Sequence, residues 1–130
     1  MEKTLELANK IMEVANAYTP WVFSVSEQED SCLVHTAVTN KAGKKLQIVF
    51  EVSEDNTGVS VKCSDSFSKE EINYCIRNMK FPVKITIYEQ GFMVTAYLPS
   101  DEIIKDDCRN IIQNRMEPLM GAVTELIKSK

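Results

Sequence analysis

Few residues in this chain have side chains of the kind that does chemistry, and they are scattered. The one histidine, His35, lies in an apolar stretch from Cys32 to Val38 that reads as a strand. An imidazole can act as a base or a metal ligand. A single one builds no ordinary metal site without cysteine or carboxylate partners at ligand spacing, and none stands nearby. The plainer reading is a histidine packed or hydrogen-bonded on a sheet. The four cysteines, Cys32, Cys63, Cys75 and Cys108, never form a Cys-x-x-Cys pair. A thiol nucleophile needs a base beside it. Cys32 is three residues from His35, which in a strand puts the two side chains on opposite faces. Cys63, Cys75 and Cys108 fall on expected core faces, so free buried thiols are expected.

Adjacent carboxylates occur at Glu70-Glu71, Asp101-Glu102 and Asp106-Asp107. The first two pairs stand at helix starts, where negative charge is favoured without any catalytic role. The third falls on the polar side of the last helix. Lys41, Lys44 and Lys45 mark a hairpin tip that could meet an anion, although charged tips are routine. No glycine-rich phosphate loop occurs. The sequence therefore predicts no catalytic residue, no metal and no cofactor.

The elements that must position these residues follow from periodicity. Leu5, Ala8, Ile11, Met12, Ala15 and Tyr18 recur at helical spacing. Thr19-Pro20 ends that helix, because the residue before proline is pushed from helical angles. Strands follow at Trp21 to Ser26, Cys32 to Val38, Leu46 to Val52 and Val59 to Cys63, separated by polar turns. Ser68 and Glu71 form a capping box ahead of Ile72, Cys75, Ile76 and Met79. Two more strands meet in a hairpin. A two-residue turn at Gln90-Gly91 pairs Ile87 with Val94, Ile85 with Ala96 and Val83 with Leu98. The same reasoning pairs Val52 with Val59, Phe50 with Val61 and Ile48 with Cys63. Ser100, Asp101 and Glu102 start the last helix, whose stripe runs from Ile104 to Leu126 and which Pro118 and Gly121 should kink or break.

The expected fold is one α+β domain over residues 1–130: an antiparallel sheet of five to six strands in the order α-β-β-β-β-α-β-β-α. Its terminal helices should cover one sheet face. A length of 130 residues suits a single domain whose core needs no metal or disulfide. A net charge of −4 argues against nucleic acid, which needs a basic field. No signal-peptide core and no apolar run of membrane length occurs, so a cytoplasmic chain is expected.

The second sheet face is richer in apolar groups than water requires. On the register above Tyr88 faces Met93, Thr86 faces Thr95 and Lys84 faces Tyr97, with Leu33, Ala37 and Val49 on the same side. Either the kinked last helix covers this face in part, or it is a protein-contact surface, where Tyr and Met concentrate.

The element order, and locally the short helix, hairpin and terminal helix from Ile72 onward through Leu98, resembles bacterial type III secretion chaperones and the YbjN-like proteins grouped with them. That resemblance implies a homodimer or a module that binds partner chains, and it carries no site residue. Cystatin-like and NTF2-like domains share similar element strings. The expected function is a non-enzymatic, chaperone-like or regulatory interaction protein that uses Tyr88, Met93, Tyr97 and Leu33 as apolar anchors. The alternative is a small-ligand pocket or enzyme in which His35, Cys32 or an acidic residue would have to meet inside a cavity.

Overall fold

The computed structural model describes residues 2–39 and 43–128. Helix α1 (Glu2–Tyr18) leads into β1 (Ser24–Glu27), β2 (Cys32–Thr39), β3 (Lys45–Val52) and β4 (Asn56–Cys63). Helix α2 (Lys69–Ile76) follows, then β5 (Lys84–Tyr88) and β6 (Gly91–Pro99). The chain ends in α3 (Ser100–Lys105), α4 (Arg109–Ile111), a π-helical turn (Ile112–Met116) and α5 (Glu117–Lys128). The six strands make one antiparallel sheet ordered β1-β2-β3-β4-β6-β5. This is the expected α+β architecture.

The strands alternate because their apolar residues do. In β3, Leu46, Ile48, Phe50 and Val52 are buried while Lys45, Gln47 and Glu51 are exposed. All helices lie on the buried side. Helix α1 packs on β1, β2 and β3, while α5 packs on β4 and on α2. Two edge-to-face ring pairs tie the core, Phe23 with Phe50 at 5.8 Å and Phe67 with Phe92 at 5.7 Å.

Both expected hairpin registers are two residues out. Val52 pairs with Thr57, Phe50 with Val59 and Ile48 with Val61. Ile87 pairs with Phe92 and Ile85 with Val94, around a turn at Glu89-Gln90. The faces survive, since a two-residue slip leaves each side chain on its own side. Gly91 is thus the first residue of β6 and not a turn residue. It takes φ +120°, and a Cβ there would stand 2.2 Å from the Cys63 carbonyl oxygen. Only glycine lets the backbones approach that closely.

The last helix is not one kinked helix. It breaks at residues 106–108, where Asp107 and Cys108 are left-handed at φ 59° and 66°. The Cys108 amide donates to Ile103 O at 2.9 Å and the Asp107 amide to Ile104 O at 3.3 Å. That is a Schellman cap with aspartate in the usual glycine position. Asp106 and Asp107 therefore form a connection, and the Asp106 carboxylate accepts from the Asn110 amide. Pro118 sits one residue into α5, directly after the π turn. A proline has no N–H to give residue 114, and the wider turn absorbs that loss. Gly121 lies inside α5 without interrupting it. Ser100 does not cap α3 with its side chain. Its hydroxyl instead donates to Ser53 O at 2.9 Å and meets the buried Thr57 Oγ1 at 3.1 Å, tying the start of α3 to the β3–β4 turn.

Candidate binding face

The face of the sheet turned away from the helices is built from the alternate residues of all six strands. Registered rows cross it. One runs Ser26, Leu33, Glu51, Gly58, Tyr97. The next runs His35, Val49, Ser60, Thr95, Lys84, and a third runs Ala37, Gln47, Lys62, Met93, Thr86. Leu33, Val49, Ser60, Lys62 and Met93 are half-buried, and Thr95 is fully buried.

Leu33, Met93 and Tyr97 line one surface hollow of about 250 Å³, together with Val49, Glu51 and Lys84. A neighbouring hollow of about 280 Å³ shares Leu33 and Val49 with it and adds His35 and Ala37. All the lining residues of both belong to the strands except Gln28 of the β1–β2 turn. Among the described residues no helix lies over this face, so the last helix does not cover it.

The four expected anchors thus share one face, with differences. Tyr97 is 52 % exposed, yet its ring lies over the backbone of Gly58, its partner across β4 and β6. A Cβ at Gly58 would stand 2.8 Å from Tyr97 Cε1. Contrary to the expected register, Tyr88 does not face Met93; Thr86 does, and Tyr88 pairs with Gly91. Its hydroxyl still reaches Met93 Sδ at 3.8 Å, and Lys62 Nζ lies 4.8 Å from its ring centroid. Lys84 pairs with Thr95 and not with Tyr97. At the centre Ser60 Oγ and Thr95 Oγ1 hydrogen-bond at 2.7 Å, which satisfies both hydroxyls.

The chemistry-bearing residues do not converge. His35 Nε2 is 2.9 Å from Ser26 Oγ, a pairing that sequence spacing did not signal because the β1–β2 register creates it. No carboxylate lines the hollow beside His35. Cys32 is buried on the opposite face. Burial pushes its thiol upward in pKa, with a further push from Glu27. Cys75 is raised by burial, then by Glu125 and Glu71. Cys108 is pushed up to about 11, chiefly by burial. A raised pKa leaves less thiolate, the reverse of what a nucleophile needs. Among the described residues, no three His, Cys, Asp or Glu side chains come together as a metal site requires. Of the basic hairpin tip, Lys41 lies outside the described residues, and Lys44 forms an ion pair with Asp65 at 3.1 Å. Among the described residues, no helix is long and apolar enough to cross a membrane.

The chain matches no family model, no curated protein and no solved structure.

Proposed function

We propose that this chain is a non-enzymatic protein-interaction module with a chaperone-like or regulatory role, docking a protein partner on the open face of its sheet. The observation that carries this reading is one-sided burial. The helices cover one face only, while the other presents Leu33, Val49, Met93 and Tyr97 around adjoining hollows with no described element over them. Apolar side chains ringed by Glu51, Lys62 and Lys84 match the usual interface pattern of an apolar centre and a polar rim. The secretion-chaperone-like order of elements implies the same kind of role.

The test is a Leu33→Ser/Met93→Ser double variant. Neither side chain belongs to the buried core, so circular dichroism and thermal midpoint should stay close to the parent. Proteins that co-purify with the parent from its native cell should be lost, with binding about thirtyfold weaker if each of the two truncations costs about 1 kcal/mol. Equal recovery of partners by parent and variant would sink the proposal. So would a large loss of stability with association unchanged, because the face would then be core.

A further inference from the structure

The sheet has two free edges, and they differ. Backbone hydrogen bonding fixes which groups point outward at each. The Ser53 amide donates to Asn56 O at 3.0 Å, so those residues close the β3–β4 turn as a hydrogen-bonded pair. In an antiparallel ladder such pairs alternate with unbonded ones. Thr57, Val59, Val61 and Cys63 must then turn their amides toward β6, and Phe92, Val94 and Ala96 toward β4. Gly91, Met93 and Thr95 are left to bond β5, through Tyr88, Thr86 and Lys84. Ile85 and Ile87 therefore present their N–H and C=O groups to the outside.

At the opposite edge the Gln28 amide donates to Ser31 O at 2.8 Å, so Val25 and Glu27 face outward there. That edge is only four residues long and carries a carboxylate among its outward residues, both features that discourage strand addition. The β5 edge, Lys-Ile-Thr-Ile-Tyr, has neither an acid nor a proline. Ile87 is 50 % and Tyr88 39 % exposed along it.

We propose that β5 pairs antiparallel with β5 of a second copy about a two-fold axis at Thr86, joining two six-stranded sheets into one. The chain's own pattern selects this register. Open-face residues must oppose open-face residues, and the bonded pairs must use the outward groups of Ile85 and Ile87. Centring on Thr86 satisfies both: Ile85 bonds Ile87 of the second copy, and Ile87 bonds its Ile85. It also sets the Lys84 ammonium against the Tyr88 ring of the other copy, a complementary pair of cation and aromatic face. Centring on Ile87 would instead bond Ile85 to Glu89, leaving an isoleucine against a carboxylate. The exposed Ile87 side chain gains a cover, and the two open faces become continuous. The pairing does not depend on a partner binding the open face.

Analytical ultracentrifugation of the full chain should give twice the 14.8 kDa chain mass. On mild oxidation a Thr86→Cys variant should form a disulfide-linked dimer, since directly opposed unbonded pairs bring Cα atoms to about 4.5 Å. Lys84→Cys should not, since its copies would lie about 13 Å apart along the strands. Ile87→Pro removes only an outward N–H, so the fold should persist by circular dichroism while dimerisation weakens about tenfold or more. A monomer overturns the proposal, and so does a dimer in which Thr86→Cys stays unlinked. A dimer indifferent to Ile87→Pro but broken by Leu33→Ser/Met93→Ser also overturns it, while leaving the open-face reading in place.

Discussion

Tyr97 is exposed but not free, because its ring shields the bare backbone of Gly58. A glycine within a strand costs about 0.5–1 kcal/mol against alanine, and an aromatic laid across it recovers part of that loss. The two positions should therefore be coupled. In the parent, Gly58→Ala must push the ring aside, so its gain in strand propensity is cancelled. In a Tyr97→Ser background the space is open, and the same change should stabilise by about 0.5–1 kcal/mol. Urea unfolding of the double-mutant cycle reads this directly, and additive effects would refute it. Leu33 and Met93 are accordingly cleaner probes of binding than Tyr97. Cys108 gives a second expectation at this scale. Its thiol, ordinarily near 9.0, is held at about 11 in the fold, so the neutral form is favoured there. Up to pH 9 both states keep the proton. Between 9 and 11 the unfolded chain loses it first, and stability falls by at most about 3 kcal/mol. Cys32 and Cys75 push in the same direction. Urea midpoints compared at about pH 8 and about pH 10.5 should converge markedly in Cys108→Ala; an undiminished drop in that variant would contradict the assignment.

Among the elements, those whose signals are local could be read from the residues. The capping box of α2 is one: Glu71 N donates to Ser68 Oγ at 3.1 Å, and Ser68 N donates to the Glu71 carboxylate at 2.9 Å. Ser68→Ala should cost about 1 kcal/mol, while Ser68→Asp should keep most of it. The strand faces were equally legible, since alternation reports them. The pairing was not, because a period of two cannot distinguish registers two residues apart. The turns decided that, through the Ser53–Asn56 bond and the closeness of Gly91 to β4. The break after α3 was invisible because Asp107 occupies the left-handed position usually marked by glycine. That substitution has a consequence. Asp107→Gly relieves the αL penalty and should stabilise by about 0.5–1 kcal/mol, raising the melting midpoint by a few degrees. A midpoint lowered by that change would mean the Asp107 carboxylate supplies more than the conformation costs.

For the whole molecule, a single sheet is covered on one side by two helical groups, α1 over one half and α2 with α5 over the other. The fold class and the face carrying Leu33, Tyr88, Met93 and Tyr97 follow from pattern, because burial of one face is what alternation encodes. Whether a helix returns to cover the second face is a long-range matter that no local pattern contains. This one-sided arrangement predicts how the sheet opens. Strands β3, β4 and β6 are bonded on both sides beneath both helical groups, so their amides should exchange only with global unfolding. Val25 and Glu27 at the β1 edge should exchange fastest, at any protein concentration. Ile85 and Ile87 belong to the other edge, and edge pairing gives them partners only in a dimer. Their exchange should slow as concentration rises, by up to the fraction dimerised, while that of β1 stays constant. Amide-resolved exchange at two concentrations measures all three groups together. Uniform protection across β1, β3 and β5 would contradict the arrangement, and concentration-independent exchange at Ile85 and Ile87 would contradict the edge pairing alone.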